Sequence, residues 1–233
     1  MISQVNILEE LRQNLILQKK SFSVLIDPDK VELENISSIL NRLPEDTNYI
    51  FVGGSCVENH KTDEVVKVLK TQSKLPIILF PGNVNQISAH ADAILFLSLM
   101  SGDNPEYLVH QQVKSVRYLQ HTNLEIIPTA YILIDGGKTT AVEEVSQTKA
   151  IPQHEVQKIV DTAVAGMYSG KQLVYLEAGS GAKFPVQPEI IKAVKQQINI
   201  PLIVGGGIKT EKQRQNAYDA GADMVVMGTV FEE

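Results

Sequence analysis

One cysteine, Cys56, is all the thiol that this 233-residue chain carries. An internal disulfide and a four-cysteine zinc site are therefore excluded. Positive charge is also in deficit. There are 21 Lys and Arg against 27 Asp and Glu, a formal net charge of −6, which argues against non-specific nucleic-acid binding. No run approaches the roughly eighteen apolar residues of a membrane-spanning helix. The opening MISQVNILEELRQN has no basic region followed by an apolar core, so no secretory leader is expected and the cytoplasm is the expected compartment. Linker-like stretches are missing too, and residues 1–233 are read as a single domain. None of His60, His90, His110, His121 and His154 ends an apolar run, so all read as loop or helix-surface residues.

What the chain does have is a repeated strand-then-helix unit. Val5, Leu8, Leu11 and Leu15 fall on a helical period, predicting an N-terminal helix over 5–19. Apolar runs follow at 22–26, 49–53, 76–80, 93–98, 124–134, 173–177, 201–205 and 224–228. Helical patterns lie between most of them, at about 33–43, 61–72, 105–119, 153–168, 188–197 and 210–220. The runs are continuous rather than alternating, as strands covered by helices should be. Eight such units predict a (β/α)8 TIM barrel, modified by the added N-terminal helix; a doubly wound open sheet is the competing fold. Two details fit poorly. The segment 84–89 is too short for a full helix, and the chain stops at Glu233, leaving no room for a complete eighth helix.

In such a barrel the active site lies at the C-terminal rim of the strands, and the last loops commonly hold phosphate. PLIVGGGIKT (201–210) and DMVVMGT (223–229) end strands 7 and 8 in glycine. Gly205, Gly206 and Gly207 admit backbone amides to an anion, and a following helix N-terminus adds partial positive charge. Strand 6, in LVYLEAGSGA (173–182), adds Ser180 and a flexible turn, extending this phosphate grip over strands 6–8. Glu177 then stands beside the bound phosphate as a candidate general base, the alternative being a structural cap or ion pair. Tyr175 shares its face and either fills the core or orients the base. Asp27 and Asp29 follow strand 1; each is either a turn or cap residue or a metal ligand. Ser55, after strand 2, brings a hydroxyl near Asp27, a combination that suits Mg²⁺ and would make a poor zinc site. GGKT (136–139) lacks the full P-loop spacing. Lys30 and Lys138 are candidates to meet a second anionic group. Leu99, Met100 and Tyr131 are candidates to line an apolar trench. The segment 128–152 is too polar and too long for an ordinary barrel loop, and its GGKTT (136–140) and TKAIP (148–152) read as a mobile wall.

These motifs together, LIDPDK, FVGGS, LFPGN, SGDNP, PTAYILID, YLEAGSG, GGGIKT and MGT, span nearly the whole chain. The set resembles the geranylgeranylglyceryl phosphate synthases and their bacterial relatives, the PcrB-like prenyltransferases. The resemblance implies a prenyltransferase that joins sn-glycerol 1-phosphate to a polyprenyl diphosphate by an ether bond, with Mg²⁺ and release of diphosphate. It implies metal binding at Asp27 and Ser55, and proton abstraction by Glu177. It also implies substrate binding by Tyr175, Leu176, Glu177, Ala178, Gly179, Ser180, Gly181, Gly206, Gly207, Gly228 and Thr229. The long PTAYILID segment is similar to the archaeal-like branch, which implies the C20 donor, geranylgeranyl diphosphate; other chain lengths belong to other members. A homo-oligomer, dimer or hexamer, is implied as well, with residues 105–119 as a contributor. Transient membrane contact for a lipid product is a further expectation. A phosphosugar isomerase or cyclase, which shares GGGI and GT, is the alternative enzyme.

Overall fold

Strands that are apolar on both faces must be covered on both, and a sheet closed on itself achieves this. The computed structural model describes residues 6–54, 57 and 61–228. In chain order it has α1 (Ile7–Ile16), β1 (Ser21–Ile26), α2 (Ile36–Asn41), β2 (Thr47–Val52), α3 (Lys61–Gln72), β3 (Ile77–Leu79), β4 (Ala93–Leu99) and α4 (Gln111–Leu119). Then come β5 (Glu125–Leu133), α5 (Ala141–Ser146), α6 (Val156–Tyr168), β6 (Leu173–Glu177), α7 (Pro188–Lys195), β7 (Leu202–Gly205), α8 (Glu211–Ala220) and β8 (Met224–Met227). All neighbouring strands pair in parallel, and β8 returns to β1, closing the barrel. The expected (β/α)8 architecture is present.

Alternation along each strand splits the core into two layers. Inside the barrel lie Tyr49, Phe51, Ile78, Leu95, Ile127, Tyr131, Tyr175, Ile203, Met224 and Val226. The other face of each strand, with residues such as Val24, Ile50, Ile132, Val174 and Val204, meets the helices.

Helix α1 joins the inner layer rather than a flank. Ile7, Leu8 and Leu11 are buried with the barrel interior. The Ile7 and Leu8 amides donate to the Glu125 carboxylate at 2.6 and 2.9 Å, and Glu125 begins β5. Unpaired N–H groups at a helix start need an acceptor, and Glu125 supplies it. So α1 plugs the end of the barrel opposite the rim.

One connection is as short as the sequence implied, and another is more ordered. Between β3 and β4 there is only a 3₁₀ turn, Val84–Gln86, which leaves the sheet less covered there. Between the two pieces read as a mobile wall the long segment 128–152 forms α5, fixed by a capping box. Thr140 Oγ1 accepts from the Glu143 amide, and the Glu143 carboxylate accepts from the Thr140 amide. Residues 105–119 form a helix whose first turn, Glu106–His110, is π-wound.

Candidate active site

Glu177 is the last residue of β6, points into the barrel and is only 6% exposed. Its Oε1 accepts from the Gly179 amide at 2.7 Å. Burial pushes its carboxyl up from 4.5 to about 7, because a buried anion loses its hydration; the Gly179 amide and the nearby Tyr175 phenol oppose the rise. The Tyr175 hydroxyl and Glu177 Oε2 crowd the same space over Gly205, where an added Cβ would lie 2.9 Å from Oε2. The phenol is close but not aligned to donate: its oxygen is buried without a hydrogen-bond partner. Burial, then the charge of Glu177, raises the Tyr131 and Tyr175 phenols, so both stay protonated.

Gly206 has φ +79°, and an added Cβ would run into Glu177 Oε1 and the amides of Gly179 and Ala178, the last at 2.7 Å. Only glycine lets the β7 and β6 loops approach this closely. Gly179, Ser180, Gly181, Gly206, Gly207 and Gly228 line one cavity with Glu177 and Tyr175. Lys138 hangs over the turn, its Nζ 2.9 Å from the position of a Gly181 Cβ, and Lys209 lines the same wall. Glycine turns rimmed by lysine make an anion site. The expected help from a helix N-terminus is displaced. Helix α8 starts beyond the glycines at Glu211, and the Lys209 and Thr210 amides donate to Gln213 in its capping box.

Asp27, after β1, lies on the same wall. Its structural role is realised: it caps the turn Pro28–Lys30 by accepting from the Asp29 amide at 3.1 Å, and Lys30 Nζ lies 3.4 Å from Oδ2. Gly54 leaves room beside it, since a Cβ there would stand 2.7 Å from Asp27 Oδ1. Gln86, 1% exposed, fixes that turn by accepting from the Gly54 amide and donating to its carbonyl. No three His, Cys, Asp or Glu residues cluster for a metal among the described residues. One carboxylate with open space fits an ion that takes most of its oxygens from water and ligand, as Mg²⁺ does. Ser55, the other expected ligand, and Thr229 lie outside the described residues.

From this polar end the cavity, about 640 Å³, continues as an apolar arm. Phe80, Leu97, Leu99 and Tyr131 begin it, and Val84, Ile87, Ile94 and Phe96 extend it past β3 and β4 toward α4. The missing helix after β3 opens this path. Gln112 and Ser115 of α4 line it too, and Gln112 Oε1 is buried with no partner. Phe80, Tyr131 and Tyr175 meet where arm and polar end join. Phe80 stacks on Tyr175 at 5.0 Å and 11°, and Tyr131 stands edge-on to Phe80 at 5.7 Å.

The model of the PcrB family matches residues 14–233. The chain belongs to the PcrB family. It is 54% identical over 216 residues, 93% of this chain and 92% of the relative, to the geranylgeranylglyceryl phosphate synthase of Zunongwangia profunda. It is 44% identical over 218 residues, 93% and 86% of the two chains, to that of Thermococcus kodakarensis. Its fold matches (S)-3-O-geranylgeranylglyceryl phosphate synthase from Thermoplasma acidophilum in complex with substrate sn-glycerol-1-phosphate. There the TM-score is 0.90 at 35% identity, over 98% of this chain and 92% of that one.

Among the described residues of this PcrB-family barrel most expected site residues converge, with two exceptions. The side chains of Leu176 and Ala178 point to the outer layer, because a strand turns alternate residues outward. The Ala178 amide is also taken, donating to Gly205 O at 3.0 Å. Leu99 and Tyr131 line the arm as expected, whereas Met100 packs against the outer layer. Sequence reasoning missed Phe80, Gln86 and Gln112. It also missed α5, whose Val142 and Val145 line the cavity; its Thr-x-x-Glu spacing was the available signal.

Proposed function

We propose that the protein joins sn-glycerol 1-phosphate to geranylgeranyl diphosphate through an ether bond and releases diphosphate. The observation that carries this is the single cavity, with a glycine-lined anion site around a buried glutamate at one end and an apolar arm at the other. Its volume is within the usual range for a small-molecule site. No feature of the cavity favours a phosphosugar isomerase or cyclase, to which a long apolar arm would be useless.

The grip formed by Gly179–Gly181, Gly206 and Gly207 holds the glycerol phosphate, with its hydroxyls toward Glu177. The arm takes the prenyl tail, at about 0.8 kcal/mol for each CH₂ buried. Asp27, with Ser55, would hold Mg²⁺, which when bound supplies charge neutralisation for the diphosphate. Lys30, Lys138 and Lys209 add cationic charge at the rim. As the allylic C–O bond opens, the glycerol oxygen bonds to the allylic carbon and its proton passes to Glu177. A carboxyl near 7 suits this, since it is substantially ionised at neutral pH and still basic enough to accept. No free alkoxide is needed.

The same reading carries a homo-oligomer, dimer or hexamer, supported by the exposed apolar side chains Val109, Val113, Val116 and Tyr118 on the α4 segment. Light scattering at micromolar concentration giving the single-chain mass would reject it. Among the described residues no helix is long and apolar enough to cross a membrane. We place the protein in the cytoplasm, with transient membrane contact for the product.

The reaction is tested with purified protein, Mg²⁺, sn-glycerol 1-phosphate and radiolabelled prenyl diphosphates from C15 to C35. An organic-extractable phosphorylated ether is expected, most rapidly with C20. Absence of product from every donor would overturn the proposal.

A further inference from the structure

Aromatic residues are scarce here: six Phe, seven Tyr and no Trp. Four of them nevertheless form one contact cluster on the barrel axis, Phe51, Phe80, Tyr131 and Tyr175. Phe51 is fully buried and does not border the cavity, so packing accounts for it. Tyr131 and Tyr175 are buried and direct hydroxyls toward the neighbourhood of Glu177. Phe80 is different. It is half-buried, has no polar atom to contribute, and lines the cavity where the anion site meets the apolar arm.

That junction is where the allylic carbon of a prenyl diphosphate must sit, with its diphosphate on the polar side and its tail in the arm. This placement rests on the function proposed above. When the allylic C–O bond breaks, both electrons leave with diphosphate and positive charge spreads over the allyl group. Glu177 is committed to the incoming hydroxyl proton, and the rim lysines face the anions. An electron-rich ring face suits a delocalised cation in an apolar space, and of the three rings at the junction Phe80 alone carries no hydroxyl. We infer that Phe80, held in orientation by its stack on Tyr175, is a catalytic residue whose ring stabilises the allylic cation as the bond opens. The glycerol oxygen then supplies the electron pair for the new C–O bond, its proton goes to Glu177, and the ring is unchanged.

The test keeps shape constant while draining the ring of electron density. Phe80 is replaced by mono-, di- and trifluorinated phenylalanine, and single-turnover rates are measured with saturating geranylgeranyl diphosphate, sn-glycerol 1-phosphate and Mg²⁺. The rate should fall with each fluorine, about tenfold across the series. Phe80→Leu should lose about 30-fold, equivalent to about 2 kcal/mol at 1.36 kcal/mol per tenfold, with glycerol-phosphate affinity unchanged. A flat fluorine series overturns the inference and leaves the prenyl transfer standing. Wild-type protein that forms no ether with any donor overturns the reading beneath it.

Discussion

Replacing Glu177 by Gln keeps the side-chain shape and an acceptor for the Gly179 amide, yet removes the titration. The carboxyl lies at about 7 rather than 4.5 because ionising it inside the barrel is costly. A group whose folded value is raised contributes stability that is fully present below its unfolded value. That contribution is lost as pH climbs through the folded one. The window is therefore about 4.5 to 7. At about 1.4 kcal/mol per pH unit, the wild-type protein should forfeit roughly 3 kcal/mol across it, and the Gln variant should not. For a chain of this size that is roughly 6–12 °C in Tm. Thermal scans from about pH 4.5 to 8.5 should show the variant gaining on wild type as pH rises. A gap that stays level or narrows would refute the argument that Glu177 pays for its burial as an anion. In turnover the variant should lose on the order of 100-fold or more with glycerol-phosphate binding nearly intact. Wild-type kcat/KM should rise with pH to a plateau above about 7. With a phosphate dianion bound nearby, the kcat profile should shift to higher pH.

Other perturbations separate the remaining parts. Asp27→Asn should weaken the Mg²⁺ response and the affinity for prenyl diphosphate; an unchanged Mg²⁺ titration would move the ion elsewhere, with Asp29 next in line. Gln112→Leu puts an apolar side chain on the arm wall, at the cost of the amide's bonds to the Leu97 and Tyr107 carbonyls, so donors longer than C20 should gain about tenfold relative to C20. An unaltered preference would take Gln112 out of donor selection. Glu125→Ala strands the Ile7 and Leu8 amides and should cost about 2–4 kcal/mol, with faster hydrogen exchange confined first to α1; unchanged exchange there would show that the apolar contacts of α1 hold it alone.

The barrel was legible because its signal is collective: eight continuous apolar runs at regular spacing leave few ways to bury them all. The strand Leu173–Glu177 and the helix Lys61–Gln72 fall where their patterns put them. Glu177 and the glycines were legible because rim position and residue type coincide. What escaped depends on juxtapositions between distant segments. Phe80 acquires meaning only from its stack on Tyr175, and Gln86 only from the Gly54 backbone. Residues 84–89 were visibly too short for a helix, but the arm this opens needs β4 and α4 in place to be seen. Helix α5 hid behind polar composition, although Thr140 and Glu143 spelled its cap. Leu176 and Ala178 entered the expected site because their motif was taken whole, against the alternation that turns them outward.

The plug formed by α1 has a kinetic consequence. With the far end of the barrel stoppered, the lipid product must leave by the face through which its precursors came. That product carries both precursor halves on one molecule, so its head group and its tail are held together, each keeping the other at high effective concentration. Letting go of one end permits rebinding before the other escapes. Egress rather than bond formation should then limit steady turnover. A first fast round followed by a slower steady phase is the expected signature, and detergent micelles or vesicles that accept the tail should lift the slow phase toward the fast one.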